Sequence, residues 1–324
     1  MSKATAASCA NIAFIKYWGN VDQTLRIAAT PSLSMNLADL TITATVHFDE
    51  AQSSDRLIMN GTPTTGAAAD RVFQHLDLVR KKANIQTAAV VETESNFPAG
   101  AGIASSAAAF SALAVAGAKA AGLSLSEAEL SALARRGSGS ASRSVPTGYC
   151  EWLAGGSDES SYATSVASPD HWDLYDVVAI VDTGHKSVGS TGGHSIADTS
   201  PLQACRINSA PDRFERCKEA LLQRDLATFG SLIEEDSTIM HSVMMTSQPA
   251  LFYWSPATLA IMKATEQWRT DGLLAYYTID AGPNVHLICE SHQADQVREA
   301  VSTVPGVKDI KGSAVGGPTQ LLPT

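Results

Sequence analysis

Between Asn96 and Phe110 the chain reads NFPAGAGIASSAAAF, with Gly100 and Gly102 set just before the adjacent serines Ser105 and Ser106. The left flank, TAAVVETES, is short and β-branched and predicts a strand. The right flank, SSAAAFSALAVAGAKAAG, is rich in helix formers, lacks proline and predicts a helix entered through the two serines. The first turn of a helix leaves its N–H groups unpaired and carries the positive end of the dipole, so a strand, a glycine turn and a helix start together form a site for a phosphate. The alternative is that the glycines only let the helix pack closely. Lys16, Tyr17 and Trp18 close an apolar run in ANIAFIKYWGN, which read alone is a buried strand ending in an amphipathic lysine. Arg143 follows the glycine-serine run of GSGSASRS (137–144), which by itself fits a solvated loop. STGGHS (190–195) fits a connection between domains, and Asp280 in TIDAGPNVHL fits a turn-forming aspartate at the end of a strand.

The elements that must position these residues alternate irregularly. LTITATVHF (40–48) has the period of a half-buried strand, and AAADRVFQHLDLVRKKA (67–83) repeats its apolar residues as a helix does. LSLSEAELSALARR opens a helix with Ser126 and Glu129 at capping-box spacing. DVVAIVD (176–182) predicts a buried strand, followed by a mostly helical region that includes SPATLAIMKATEQWRTDG, with Pro256 at a first helical position. The chain then runs strand, DAGPN turn, strand VHLICE, helix HQADQVREAVS and a last short strand. Mixed elements in unequal halves predict an α+β protein, divided where TGHKSVGSTGGHS (183–195) is rich in glycine and serine.

With 324 residues the chain can form two substantial domains. A net charge of −10 excludes the basic excess that nucleic-acid binding requires, although a small anionic ligand held by local cations remains open. The five cysteines lack any zinc or disulfide spacing, and no run approaches a membrane span. These features predict a cytoplasmic protein in a reducing compartment.

Taken in order, NIAFIKYWGN, SLSMNL, FPAGAGIASSAAA, GSGSASRS, HKSVGSTGGH and DAGPN resemble the motifs of the decarboxylases of phosphorylated mevalonate, within the GHMP kinase superfamily. The six segments span Asn11 to Asn284. The resemblance implies a GHMP-kinase-like fold, with an N-terminal unit like domain 2 of ribosomal protein S5, built on a left-handed βαβ-type crossover, and a C-terminal ferredoxin-like domain. The domains would be 1–185 and 186–324, with the site in the cleft between them. It also implies ATP and Mg²⁺ as cofactors, a phosphorylated mevalonate as substrate, and a homodimer.

The reaction so implied phosphorylates the substrate's tertiary 3-hydroxyl, after which phosphate and CO₂ leave. By resemblance, Asp280 orients that hydroxyl and takes its proton, and Lys16 adds a cation beside it. Arg143 holds the C1 carboxylate through its planar fork. Ser138, Gly139 and Ser140 take the 5-phosphate end, Tyr17 flanks it and Ser190 lines the cleft. Gly100, Gly102, Ala104, Ser105 and Ser106 hold the ATP phosphates, with Ser106 near the metal. The chain departs from the motif at Asn20, where the family has a lysine, at Ser142 in place of a cysteine, and at Thr30-Pro31-Ser32 in place of Asn-Ser-Ser. Losing a cation near the distal phosphate tilts the expected substrate narrowly toward mevalonate 5-phosphate, with the 5-diphosphate as alternative, and a small-molecule kinase of the same fold without decarboxylation or a non-catalytic binding member as further alternatives. Arg26 or Lys186 could supply the missing charge.

Overall fold

The computed structural model describes residues 3–97, 105–184 and 189–323. The first part of the chain contains strands β1 (Lys3–Ile15), β2 (Asn20–Asp22), β3 (Ile27–Ala28), β4 (Ser32–Phe48), β5 (Arg56–Met59), β6 (Thr62–Thr64), β7 (Ala89–Ser95), β8 (Tyr149–Trp152) and β9 (Ala163–Ala167). Its helices are α1 (Ala67–Ala83), α2 (Ser105–Ala120) and α3 (Glu127–Gly137), followed by a 3₁₀ turn over Gly139–Ser144. The second part contains β10 (Leu174–Ile180), α4 (Ser190–Ile196), α5 (Gln203–Gln223), α6 (Leu226–Thr246), α7 (Pro256–Thr270), β11 (Ala275–Thr278), β12 (Val285–Glu290), α8 (Ala294–Ser302), β13 (Asp309–Ala314) and β14 (Gln320–Leu322).

Two sheets organise these elements. The first runs β14-β1-β4-β7-β5-β6, with β8 and β9 joined to β4, and its one parallel pair is β5 with β7, on either side of α1. The second runs β11-β12-β10-β13, antiparallel throughout, and its β-α-β-β-α-β order is the ferredoxin-like arrangement. The fold is therefore α+β, as the sequence implied. By sheet membership the second unit begins at β10, ahead of the division expected at residue 185, because the apolar strand is buried on both faces only between its partners β12 and β13. The C-terminus holds two strands rather than one: β13 completes the second sheet, and β14 returns to pair with β1.

Three apolar layers fix the sheets. One face of the first sheet packs on α1 to α3 through Val46, Leu76, Val79, Phe110 and Leu113. Its other face shares a core with α5, α6 and the second sheet, including Ile12, Phe14, Phe214, Phe229, Leu232 and Val178. The remaining face of the second sheet packs on α7 and α8. Because α5 and α6 are wedged between the sheets, the two halves share one continuous core, and residues at the sheet ends keep a fixed separation. Ser126 caps α3 in the expected capping box with Glu129, and Pro256 opens α7 above its cap Ser255. Among the described residues, no helix is long and apolar enough to cross a membrane, and all five cysteines are free thiols.

Candidate active site

A cleft of about 590 Å³ opens between the two sheets. Lys16 reaches it from the end of β1, Ser105 and Ser106 from the start of α2, Arg143 from the 3₁₀ turn, Ser190 from α4 and Asp280 from the loop after β11. Tyr17, Ser138, Gly139 and Ser140 complete the set, so every described residue that the sequence assigned to the site lines one cavity. Gly100, Gly102, Ala104 and Lys186 lie outside the described residues.

At the centre Lys16 Nζ donates to Asp280 Oδ1 at 2.7 Å and to the carbonyl of Ala13 at 2.7 Å. Lys16 is 1% exposed, whereas the Asp280 side chain is 27% exposed and opens to the cleft. Burial pulls the Lys16 pKa below 10.5 despite the pull of Asp280 in the other direction. Burial by itself would raise the Asp280 pKa, but the cations around it, Lys16 foremost, hold the carboxyl below the ordinary aspartate value. The result is an ionised carboxylate held from one side.

The backbone that carries Lys16 is fixed from α5 and α6. Asp236 accepts from the Lys16 N–H at 2.6 Å, and Arg206 donates to the carbonyls of Lys16 and Trp18 at 2.5 and 3.1 Å. Ser237 braces the other partner, exchanging hydrogen bonds with Ile279 one residue before Asp280. Both halves of the central pair thus hang on α6.

Arg143 is buried, and its fork is aimed by Ser32 at 2.8 Å and Asn11 at 3.1 Å. Among the described residues its Nε has no hydrogen-bond partner and no carboxylate lies within ion-pair distance. Burial lowers its pKa to about 10, so it remains charged at neutral pH. Ser32, part of the segment where the chain departs from the family pattern, is therefore an orienting group for Arg143. GSGSASRS is not a solvated loop: its 3₁₀ turn is largely buried, packed against α2 and β1. Nor is STGGHS an open connection, since it forms α4 along the cleft.

Hydroxyls line the wall between these charges, with Ser106 3.2 Å from Ser138, and Ser138 3.4 Å from Ser140. Gly139 is required here because a Cβ would stand 2.5 Å from the Tyr17 ring. Tyr17 is stacked on His194 with centroids 4.1 Å apart, and its hydroxyl donates to Asn20. His194 accepts from the Gly19 N–H through Nδ1 at 3.0 Å. Burial and neighbouring arginines hold it neutral, with a pKa lowered to about 3, so its remaining proton is on Nε2.

Among the described residues, no three or more His, Cys, Asp or Glu side chains cluster to hold a metal. Among the described residues, Ser105 and Ser106 bring hydroxyl oxygens to the cleft from the start of α2, and Asp280 lines the same cleft with its carboxylate. That sparse, hard set fits Mg²⁺ bound mainly through phosphate oxygens and water, which needs only one or two protein ligands.

Sequence reasoning missed Asn11, Trp18, Arg71, Thr191, His194 and Met240 as lining residues. Asn11, Trp18, Thr191 and His194 stood inside the motif segments. Arg71 carried no signal beyond being a polar position on the amphipathic α1.

Comparison with known proteins matches residues 8–163 to the diphosphomevalonate decarboxylase-like N-terminal domain and 176–320 to the mevalonate 5-diphosphate decarboxylase C-terminal domain. The chain belongs to the diphosphomevalonate decarboxylase family. Its relatives include the diphosphomevalonate decarboxylase of Candida albicans, 36% identical over 92% of this chain and 87% of that protein. The Saccharomyces cerevisiae enzyme is 34% identical over 88% of this chain and 77% of its own length. The crystal structure of mevalonate diphosphate decarboxylase from Staphylococcus aureus superposes with a TM-score of 0.94 at 32% identity, covering 99% of this chain and 98% of that one. A structure described as MDDEF in complex with MVAPP, AMPPCP and magnesium also reaches 0.94, at 33% identity and 99% of both chains.

Proposed function

We propose that this protein phosphorylates the 3-hydroxyl of mevalonate 5-diphosphate with ATP and then releases phosphate and CO₂ to form isopentenyl diphosphate. Family membership makes it an ATP-dependent decarboxylase of the mevalonate pathway that uses ATP and Mg²⁺. The observation that carries the mechanism is the Lys16–Asp280 pair, open on one side, sharing a single cleft with Arg143, which among the described residues has no carboxylate within ion-pair distance.

Asp280 orients the tertiary hydroxyl and accepts its proton as the oxygen bonds to the γ-phosphorus and ADP leaves. Lys16 keeps that carboxylate ionised and fixed until the proton arrives. The serine hydroxyls and the N–H groups at the start of α2 bind phosphate oxygens as negative charge moves onto ADP. Bound Mg²⁺ supplies charge neutralisation on the phosphates. In the second stage the C3–O bond breaks and phosphate departs, while the electrons of the C1–C2 bond form the new double bond and C1 leaves as CO₂. Arg143 holds the C1 carboxylate in line for that cleavage through its two fork nitrogens. Ser138, Gly139, Ser140 and Tyr17 cradle the 5-phosphate, with Ser190 closing the cleft from α4.

This reading reverses the narrow preference for the monophosphate drawn from Asn20. The curated relatives and the ligand complex are of diphosphate enzymes, and Arg26 and Arg71 bring two cations to the cleft wall. The homodimer implied by the family is part of the same proposal, and sedimentation tests it. The main test is ATP-coupled CO₂ release with the two substrates side by side. We expect the diphosphate to give the higher kcat/KM. ADP formation without CO₂ would make the protein a kinase, and preference for the monophosphate would restore the other substrate.

A further inference from the structure

Asn20 stands where the family motif carries a lysine, and its amide is committed elsewhere. Its Oδ1 accepts from the Tyr17 hydroxyl and its Nδ2 donates to Gln23 at 2.8 Å. Across the same hairpin, in which β2 and β3 pair Asn20 with Ala28 and Asp22 with Ile27, the turn presents Arg26. Arg26 has φ +54°, a conformation that residues with a side chain rarely adopt. The turn is clamped into that shape: Leu25 N–H donates to Asp22 at 2.7 Å, and the buried Arg135 donates to the Leu25 carbonyl at 3.0 Å. Strain of this kind, held by surrounding contacts, serves to aim a side chain.

The side chain so aimed lines the same cleft as Arg71. Each guanidinium is tied by one nitrogen to a carbonyl at the end of α3, Arg26 Nε to Arg136 at 3.1 Å and Arg71 Nη2 to Gly137 at 3.1 Å. Arg71 also lies over the Phe110 ring, 5.0 Å from its centroid. Among the described residues, neither arginine has a carboxylate within ion-pair distance, yet both line the cleft. Burial lowers the pKa of both, and the charge of Arg26 lowers that of Arg71 further. A smaller cavity behind them shares both arginines and adds Arg136 and His75, a buried ring with neither nitrogen partnered. Two like charges held together without a counter-ion, beside orphaned polar atoms, form a site that is completed by a strongly charged anion.

We propose that Arg26 is the residue that sets preference for the 5-diphosphate in this chain, gripping the distal phosphate together with Arg71 and replacing the lysine that Asn20 displaced. An arginine fork contacts two phosphate oxygens at once, so its placement across the hairpin does not weaken the grip relative to a lysine. This inference rests on the diphosphate reading above.

The test uses the full chain with Arg26→Gln, Arg26→Lys, Asn20→Lys and the double variant Arg26→Gln/Asn20→Lys. The readouts are kcat/KM on both substrates and calorimetric binding of each substrate without ATP. Arg26→Gln is expected to lower kcat/KM and affinity for the diphosphate by roughly ten- to a hundred-fold, and for the monophosphate by no more than about threefold. Asn20→Lys in that background is expected to restore most of the loss, because the charge returns from the opposite strand. Arg26→Lys, which retains the charge, controls for disturbance of the turn and should keep the diphosphate preference. Equal losses on both substrates, or no loss, would overturn the role of Arg26 while leaving a parent that prefers the diphosphate, and hence the proposed function, intact. A parent that prefers the monophosphate would overturn both.

Discussion

Two aspartates on neighbouring elements each pair with a cation at almost the same distance, Asp280 with Lys16 at 2.7 Å and Asp236 with Arg213 at 2.8 Å. Asp236 is completely buried and shares its oxygens between Arg213 and the Lys16 N–H. Asp280 is paired through Oδ1 and keeps an open face toward the cleft. Charge and distance do not distinguish the two pairs. Access does: a carboxylate whose acceptor sites are filled from within holds the scaffold, and one left partly open can receive a proton from a ligand.

The comparison predicts opposite consequences for the same substitution. Asp280→Asn removes the proposed proton acceptor and should cut turnover by roughly two to four powers of ten, while the stability cost of leaving Lys16 without this carboxylate is limited because burial already favours its neutral form. Turnover near the parent's would remove Asp280 from the mechanism. Asp236→Asn leaves the buried Arg213 with only the half-exposed Glu235, 3.9 Å away, as counter-ion and should cost up to about 3–5 kcal/mol of folding stability in chemical denaturation. If that variant kept full stability and lost only turnover, the distinction between scaffold and site would collapse.

Arg143→Lys tests a third buried charge, one with no carboxylate within ion-pair distance among the described residues. An ammonium cannot reproduce the fork aimed by Ser32 and Asn11, so kcat/KM should fall by roughly ten- to a hundred-fold, with decarboxylation suffering more than ADP formation. Equal rates in parent and variant would show that Arg143 does not hold the substrate.

The smallest effect is expected in the pH profile. Because burial lowers the Lys16 pKa, the alkaline limb of kcat/KM should begin below 10.5, and Lys16→Arg should shift that limb upward. In the same window the unfolded chain binds the proton more tightly than the folded one, so raising the pH removes the cation from the cleft while it favours the folded state. An alkaline limb that does not move in Lys16→Arg would assign it to another group.

The parts of the fold most legible in the sequence were those governed by local rules. The apolar period of 67–83 gave α1 its bounds, and the Ser126–Glu129 capping box and Pro256 marked where α3 and α7 begin. The nonlocal features were less legible. GSGSASRS looked solvated because nothing in its composition shows that α2 and β1 cover it, and the membership of β10 in the second sheet depends on partners more than a hundred residues away. Arg71 could not be singled out, since a surface arginine and a cleft arginine look alike until the α3 carbonyls fix one of them in place.

By itself the sequence determined which chemical groups are present and, through its ordered motifs, which family they belong to, because motif residues are constrained by local backbone geometry and by the ligand. Only the tertiary structure decided how those groups are used. Lys16 and Asp280 are 264 residues apart, and whether they meet, and whether the carboxylate stays open, depends on the apolar wedge of α5 and α6 between the sheets. The same holds for charge: the sequence recorded a missing lysine at position 20, while the turn of the hairpin brought Arg26 to the cleft, since electrostatics depend on distance in space and not along the chain.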